Sequence, residues 1–371
     1  MMQDVKISPY QFMVLVTFFS IGTSILVIPS LLAAEAKQDA WIVAIIATGI
    51  GLVLIWLFCT IAQWFPHLTF VQLNEKILGK WVGKATSLLF IFMSILFTSV
   101  LLYYSGIFLN TLLMPNTPTA ALNILMAIII VMGVRLGIET IARSAEILIL
   151  AFFVLFLLLI LFISPDVQFK NVQPILEARV PTIIQSSLYY IEVTSANMIV
   201  LLMIFPAVIN NIKQAKKSFF IGYLIGGIVI IIITFLCISV LGADNTAAQL
   251  YASFELAKRI SVGDFIQRIE AFMAALWIIA LYFKATLYFY TSVIGIAQVF
   301  NMKDYRPITI PLGVFVTVLS LIIFPNVVYQ QNWSATTSLF ISFSIGLILP
   351  LLLIVVYAIR KKQLNMAPEN Y

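Results

Sequence analysis

The chain has 371 residues, of which 62% are hydrophobic and only 10% are charged, and its mean hydropathy is +1.09. Soluble globular domains carry about 25% charged residues, so this composition excludes an ordinary water-soluble protein and predicts an integral membrane protein surrounded by lipid. The single histidine and two cysteines offer little for a zinc centre or a histidine-based catalytic triad. We therefore expect neither enzymatic activity nor a bound metal or cofactor. The net charge of +6 does not indicate nucleic-acid binding, because the basic residues are scattered among the loops.

Apolar stretches that can cross a bilayer recur along the whole chain. A helix needs about 20 residues to cross a hydrocarbon core of roughly 30 Å. Ten such stretches, called spans 1 to 10, are predicted near Pro9–Ala34, Ala40–Trp64, Trp81–Leu113, Thr119–Val134, Ser144–Ile163, Thr182–Ile209, Phe219–Leu241, Ile269–Phe300, Ile308–Phe324 and Thr336–Ile359. The polar stretches between them are too short to fold alone, so residues 1–371 are predicted to form a single all-α transmembrane domain.

Lysine and arginine are distributed unevenly between the two sets of connections. With a cytoplasmic amino terminus, 14 of the 21 basic residues fall in inside segments, 6 fall outside, and Lys284 lies within span 8. The positive-inside rule therefore predicts a multi-pass protein with both termini in the cytoplasm. The outer connections 164–181 and 242–268 carry both charge signs, and a short helix predicted at Ala247–Arg259 either lies on the membrane surface or caps an entrance.

Spans 1 and 6 are interrupted by polar and helix-breaking residues. Span 1 carries Ser20–Ile25 and then Pro29, and span 6 carries Tyr189–Asn197 and then Pro206. Broken helices persist in lipid only where they line a protein cavity, and their half-helix ends attract ligand charges of either sign. The pair of breaks, five spans apart, fits a zwitterion such as an amino acid. In the alternative interpretation, the small residues of span 1 only allow close helix packing.

Lys284 lies near the centre of span 8, roughly 21 Å beyond Glu270 along a helix. A lysine at that depth costs about 2.5–3.5 kcal/mol on insertion scales, so it is expected to face a partner or water. Glu192 is the acidic residue at comparable depth in span 6. Two interpretations stay open: a structural Glu192–Lys284 ion pair, or a lysine that replaces a coupling cation or contacts ligand in a cavity between spans 1, 6 and 8.

Two further pairs of residues attract attention. Tyr103 and Tyr104 in span 3 either face the same cavity or pack against lipid and neighbouring helices. Arg143 and Glu146, three residues apart on one helix, are predicted to form an interfacial ion pair rather than a functional site. The predicted ligand-binding residues are Gly22, Thr23, Ser24, Ile25, Tyr103, Tyr104, Glu192, Ser195, Asn197 and Lys284.

Four motifs carry a resemblance to a known family. They are Ile21–Pro29 in span 1, Leu78–Lys84 in the loop before span 3, Gly137–Glu146, and Gln267–Phe272 followed by Trp277–Ile279 at the head of span 8. In these motifs the chain resembles the endospore germination permeases, which are the B subunits of bacterial spore nutrient-germinant receptors. That family belongs to the amino acid–polyamine–organocation transporter superfamily.

The resemblance implies a LeuT-type fold, a five-plus-five inverted repeat in which spans 1 and 6 are broken, with one repeat near residues 9–163 and the other near 182–360. It also implies a location in the spore inner membrane, recognition of a small nutrient that is often an amino acid, and a complex with an A subunit and a C-subunit lipoprotein. Span 6 departs from the family, which often has glycine and glutamate where this chain has Met198 and Val200.

A secondary amino-acid transporter, coupled to protons or sodium, is the alternative function, because it needs the same pocket. An intramembrane hydrolase is disfavoured, since histidine is absent from every predicted span and a nucleophile motif is lacking.

Overall fold

The computed structural model describes residues 6–259 and 270–366, with side chains described as far as residue 363. These residues form helices and connections, with one isolated bridge between Ile7 and Ile209. The spans are Pro9–Ile21 with Ser24–Ala36, Ala40–Ala62, Lys80–Phe108, Thr119–Leu136, Ile138–Ile163, Val180–Thr194 with Ala196–Met203, Ile212–Leu241, Glu270–Val299, Arg306–Ile322, and Val327–Trp333 continuing through Leu339–Phe343 to Leu349–Met366.

The ten predicted spans are confirmed in this part of the chain. Eight helices are long and apolar enough to cross a membrane, and the first of them, Ser24–Ala62, holds the second half of span 1 together with span 2. Two shorter apolar helices, Pro9–Ile21 and Arg306–Ile322, supply the first half of span 1 and span 9. The helix ends and connections near Lys80, Arg135, Lys213, Lys303 and Arg360 lie at one end of the bundle, which we call the basic end.

Several boundaries differ from the prediction. Span 10 begins at Val327 rather than Thr336, and a short helix, Phe70–Leu78, lies where the sequence predicts a loop before span 3. The backbone N–H of Thr69 donates to Gln72 Oε1 at 3.0 Å, closing a capping box that starts this helix. Gln267–Ile269 of the fourth motif, and with them the predicted start of span 8, lie outside the described residues.

The break in span 1 is formed by Gly22 and stabilised around Pro29. Gly22 adopts φ +24° and ψ −116° and ends the first half-helix, with its N–H donating to Phe18 O at 2.8 Å. The second half-helix restarts at Ser24. Because Pro29 has no N–H, the carbonyl of Ile25 lacks its helical donor. The Ser253 hydroxyl, from the connection between spans 7 and 8, donates to that carbonyl instead.

The break in span 6 follows Thr194. The α-helix ends there, and a 3₁₀ helix runs from Ala196 to Met203. A helix end leaves its last carbonyls without intrahelical donors, and Val193 is one of these residues. The two breaks therefore place exposed backbone groups of spans 1 and 6 in the middle of the bundle.

Candidate functional site: a charged cavity between the broken spans

A cavity of about 490 Å³ lies between spans 1, 3, 6, 8 and 10. Its mouth, at the end opposite the basic end, is bordered by Glu35 and Gln331 and by residues 247–251 of the connection between spans 7 and 8. That connection forms two short helices, Ala243–Ala248 and Ala252–Lys258, rather than the single predicted helix. The prediction that this region caps an entrance agrees with its place at the mouth.

Tyr251 fixes this connection at the cavity mouth. Its ring packs edge-on against Phe108 of span 3, with centroids 5.3 Å apart. The Tyr251 phenol is neutral at physiological pH, and burial raises its pKa further. The mouth therefore gains a polar but uncharged group from the connection.

Five of the ten predicted ligand-binding residues line this cavity. They are Thr23, Tyr104, Glu192, Asn197 and Lys284. They come from spans 1, 3, 6 and 8, so the structure brings together residues that are far apart in the chain.

The other predicted residues of span 1 lie behind the cavity wall. Gly22 contacts the stem of Lys284, since a Cβ built on it would lie 2.2 Å from Lys284 Cδ. The Ser24 hydroxyl donates to Ser20 O at 2.9 Å within the helix. Ile25 is buried and contributes its carbonyl to the span 1 break. These residues shape the wall rather than face the cavity.

Tyr103 and Ser195 also point away from the cavity. Tyr103 packs edge-on against Phe324 of the segment after span 9, with ring centroids 5.0 Å apart. The Ser195 hydroxyl lies 3.1 Å from the Tyr223 hydroxyl of span 7. Both contacts tie neighbouring spans together.

Glu192 is a buried carboxylate held by neutral donors. The residue is 6% exposed. Oε1 accepts hydrogen bonds from the hydroxyls of Ser338 at 2.7 Å and Ser342 at 2.9 Å, both in span 10. Asn197 Nδ2 lies 3.5 Å from the same oxygen. Within the described residues, Oε2 has no hydrogen-bond donor and stays available to a ligand.

Lys284 is a buried ammonium held by backbone and an aromatic ring. The residue is 2% exposed, and Nζ donates to the carbonyl of Val193, at the end of the first half of span 6, at 2.8 Å. Nζ also lies 5.2 Å from the centre of the Phe19 ring, within cation–π range. Lys284 therefore bridges the breaks in spans 1 and 6.

The two charges do not form an ion pair with each other. The ion pairs within 4.0 Å found among the described residues include Arg143–Glu139 and Lys258–Glu255, but none joins Glu192 to Lys284. The structural interpretation of a direct Glu192–Lys284 pair is therefore wrong, because each side chain hydrogen-bonds neutral groups instead of the other.

The predicted Arg143–Glu146 pair is also wrong. Arg143 bonds Glu139 one turn earlier at 2.5 Å, while Glu146 accepts a hydrogen bond from Gln11 of span 1 at 3.0 Å. The Glu146 carboxylate, which the sequence prediction paired with Arg143, therefore bonds span 1 instead.

Span 10 supplies a polar face that the sequence prediction lacks. Ser334, Ser338 and Ser342 recur every four residues, which places them on one side of a helix. Ser334 and Gln330 both bond the Tyr104 hydroxyl, at 3.2 Å and 2.7 Å, one turn from the serines on Glu192. Ser334–Ser338 forms a π-helical turn, a feature frequent at functional sites. The four-residue spacing of these serines is the sequence pattern that could have predicted this polar face.

Comparison with known proteins agrees with this architecture. A family model described as "Spore germination protein" matches residues 6–328. Spore germination protein KB of Bacillus subtilis (strain 168) is 28% identical over 366 residues, covering 98% of this chain and 97% of its own length. Spore germination protein GerLB of Bacillus cereus is 23% identical and covers 92% and 91%.

Solved structures show the same fold at low sequence identity. Mhp1, a nucleobase-cation-symport-1 family transporter in a closed conformation with bromovinylhydantoin bound, superposes with a TM-score of 0.71 at 12% identity, over 97% of this chain and 80% of that chain. MhsT in complex with L-phenylalanine gives a TM-score of 0.65 at 15% identity, over 95% and 99%. Together with the family match over residues 6–328, this makes the chain a membrane protein of the spore germination protein family, with a LeuT-type fold.

Proposed function

We propose that the chain is the permease-like subunit of a nutrient germinant receptor, and that its cavity binds a small zwitterion, an amino acid, as the germination signal. One observation carries the proposal. Glu192 and Lys284 line the same cavity with opposite charges, and neutral groups rather than each other hold them in place. An amino acid carries the two complementary charges and can pair with both residues at once.

The energetics favour such a ligand. Buried charges are costly unless they are paired, and here each is only partly satisfied. Oε2 of Glu192 is available to a ligand ammonium, and Lys284 Nζ has three N–H donors, of which one goes to Val193 O. A ligand with a single charge satisfies only one pole and leaves the other as it was.

Analogues that lack one charge test this two-pole site. For one side chain, the amino acid is expected to bind at least about tenfold more tightly, or 1.4 kcal/mol, than the matching amine or the matching carboxylic acid. The measurement is competition for binding in membranes that contain the receptor, followed by germination of spores. A carboxylic acid or an amine that binds as tightly as the amino acid contradicts the proposal.

The remaining parts of the proposal concern partners and place. The relatives named spore germination proteins KB, A2 and B2 support a receptor complex, for which we propose an A subunit and a C-subunit lipoprotein as partners. The proposed location is the spore inner membrane. Deletion of the gene, with germination measured against a panel of nutrients, tests whether the chain senses one of them.

Orientation is a separate prediction, motivated by the 14 basic residues on one side against 6 on the other. Both termini and the basic end are expected in the cytoplasm. In a background without Cys59 and Cys237, single cysteines at exposed Asn116 and Gln249 should react with an impermeant maleimide from outside, and one at Lys213 should not. Labelling of position 213 from outside contradicts the predicted orientation.

A second candidate function, secondary transport of the amino acid, has one observation in its favour. A cavity of about 510 Å³ opens near the basic end, where His67, Gln72 and Lys303 contribute polar groups. A carrier needs access from both sides of the membrane, whereas a sensor needs only one. Uptake of the amino acid into vesicles by this chain alone supports the carrier, and a response that requires the partner subunits supports the receptor.

A further inference from the structure

The part of the cavity wall that span 3 supplies is apolar and aromatic. Phe97, Val100, Leu101 and Tyr104 of span 3 all line the cavity. Their spacing of i, i+3, i+4 and i+7 places them on one face of the helix. Trp333 of span 10 also lines the cavity, so rings and branched side chains share one cavity with the two charged groups.

The aromatic part of the wall is held in place by its own packing. The Phe97 ring stacks on Tyr288 of span 8 at 5.6 Å and meets Trp333 at 6.0 Å. Tyr288 in turn contacts Phe19 of span 1 at 5.1 Å. A wall fixed by rings from spans 1, 3, 8 and 10 is preorganised, so a ligand need not order it on binding.

The position of the charges orients any amino acid in the cavity. Glu192 and Lys284 belong to spans 6 and 8, and Tyr288 lies one helical turn beyond Lys284. An amino acid that bonds both residues with its ammonium and carboxylate has its Cα between them. Its side chain then has the span 3 wall as an apolar face available to it, since other lining groups at the mouth, such as Glu35, Gln249 and Gln331, are polar.

We propose that the ligand is an amino acid with a bulky apolar side chain, leucine-like or aromatic, rather than glycine, alanine or an acidic amino acid. This inference rests on the proposed function and narrows it. The cavity of about 490 Å³ falls within the range of roughly 300–1,000 Å³ typical of sites for drug-sized ligands. A methyl side chain leaves the span 3 wall without contacts, and an acidic one places an unpaired carboxylate against it.

Binding of three amino acids to the receptor in its membrane tests the inference. L-Leucine or L-phenylalanine is expected to bind at least about tenfold more tightly than L-alanine, because one methylene group in an apolar pocket changes affinity by roughly that factor or more. Equal or tighter binding of L-alanine overturns the inference while leaving the amino-acid site intact. Failure of all three to bind overturns both this inference and the proposed function.

A matched pair of variants locates the selectivity on span 3. Leu101→Ala enlarges the cavity wall, whereas Leu102→Ala removes an equally buried leucine that lies next to it in sequence but outside the cavity lining. Leu101→Ala is expected to lower the preference for L-leucine over L-alanine by about tenfold, and Leu102→Ala to leave the ratio unchanged. If Leu101→Ala is lost from the membrane, Phe97→Leu replaces it as the test, because leucine keeps most of the bulk of phenylalanine. That variant is expected to lower the preference for L-phenylalanine over L-alanine. The inference is overturned if Leu101→Ala leaves the ratio of L-leucine to L-alanine binding unchanged. If Phe97→Leu has to be used instead, an unchanged ratio of L-phenylalanine to L-alanine binding overturns it.

Discussion

Replacing Lys284 by methionine is expected to weaken the nutrient response strongly while the protein stays in the membrane. Methionine keeps much of the stem that packs against Gly22 but removes the ammonium that donates to Val193 O. The carbonyl at the end of the first half of span 6 then loses its donor, and the cavity loses its positive pole. We expect the nutrient concentration for half-maximal germination to rise at least about tenfold, corresponding to 1.4 kcal/mol.

The control for Lys284→Met is Lys258→Met. Lys258 is an exposed lysine on the short helix near the cavity mouth, where it pairs with Glu255 at 2.7 Å. Exposed pairs of this kind contribute about 0–1 kcal/mol, so this variant should respond as wild type. Immunoblots of spore membranes establish the protein level for both. A wild-type dose–response in Lys284→Met shows that the ammonium neither orders the breaks nor binds the nutrient.

Glu192→Gln and the double variant separate a two-pole site from a buried ion pair. Directly paired charges leave an uncompensated partner when one is removed, so a double change partly restores function. Here neutral groups hold each charge, so the double variant is expected to be at least as impaired as either single one. Recovery of the response in the double variant means that the two residues pair directly during signalling.

The spans were predictable from hydropathy, because residues that face lipid must be apolar. The residues that face the interior of the bundle were not predictable in this way. Span 10 shows the limit. Its first turns carry Gln330, Gln331, Asn332 and Ser334, which indicate a loop by composition. In the fold, this polar stretch is helical and borders the cavity. A hydropathy argument cannot distinguish a helix that faces a polar cavity from a loop in water.

The position of a charged residue along its span identified it as unusual, but the packing of the helices against each other determines which residues it contacts. Glu192 and Lys284 stand out in sequence because charge at mid-span is costly. The serines that bond Glu192 lie about 150 residues away in span 10, and no local pattern encodes that pairing. Register also separates Tyr104, which lines the cavity, from Tyr103, since adjacent helical side chains point in different directions.

Gly22→Ala is the second variant for which we expect a large effect. Gly22 has φ +24° and ψ −116°, a conformation that residues with a Cβ rarely adopt. A Cβ at this position would lie 2.2 Å from Lys284 Cδ and 3.2 Å from the carbonyl oxygen of Phe19. Moving the lysine stem breaks the hydrogen bond from Nζ to Val193 O. Overpacking of this kind costs about 1–3 kcal/mol, so the nutrient response should be lost or the protein level should fall sharply.

The matched control is Gly49→Ala in the middle of span 2, where an added Cβ meets nothing within 4 Å. Alanine is favoured over glycine inside a helix by about 1 kcal/mol, so this variant should reach wild-type levels and respond normally. Membrane protein level and germination dose–response are measured for both. A Gly22→Ala protein with a normal response shows that the Lys284 stem moves freely, because the added methyl group occupies its place. The span 1 break would then have no part in positioning the ammonium.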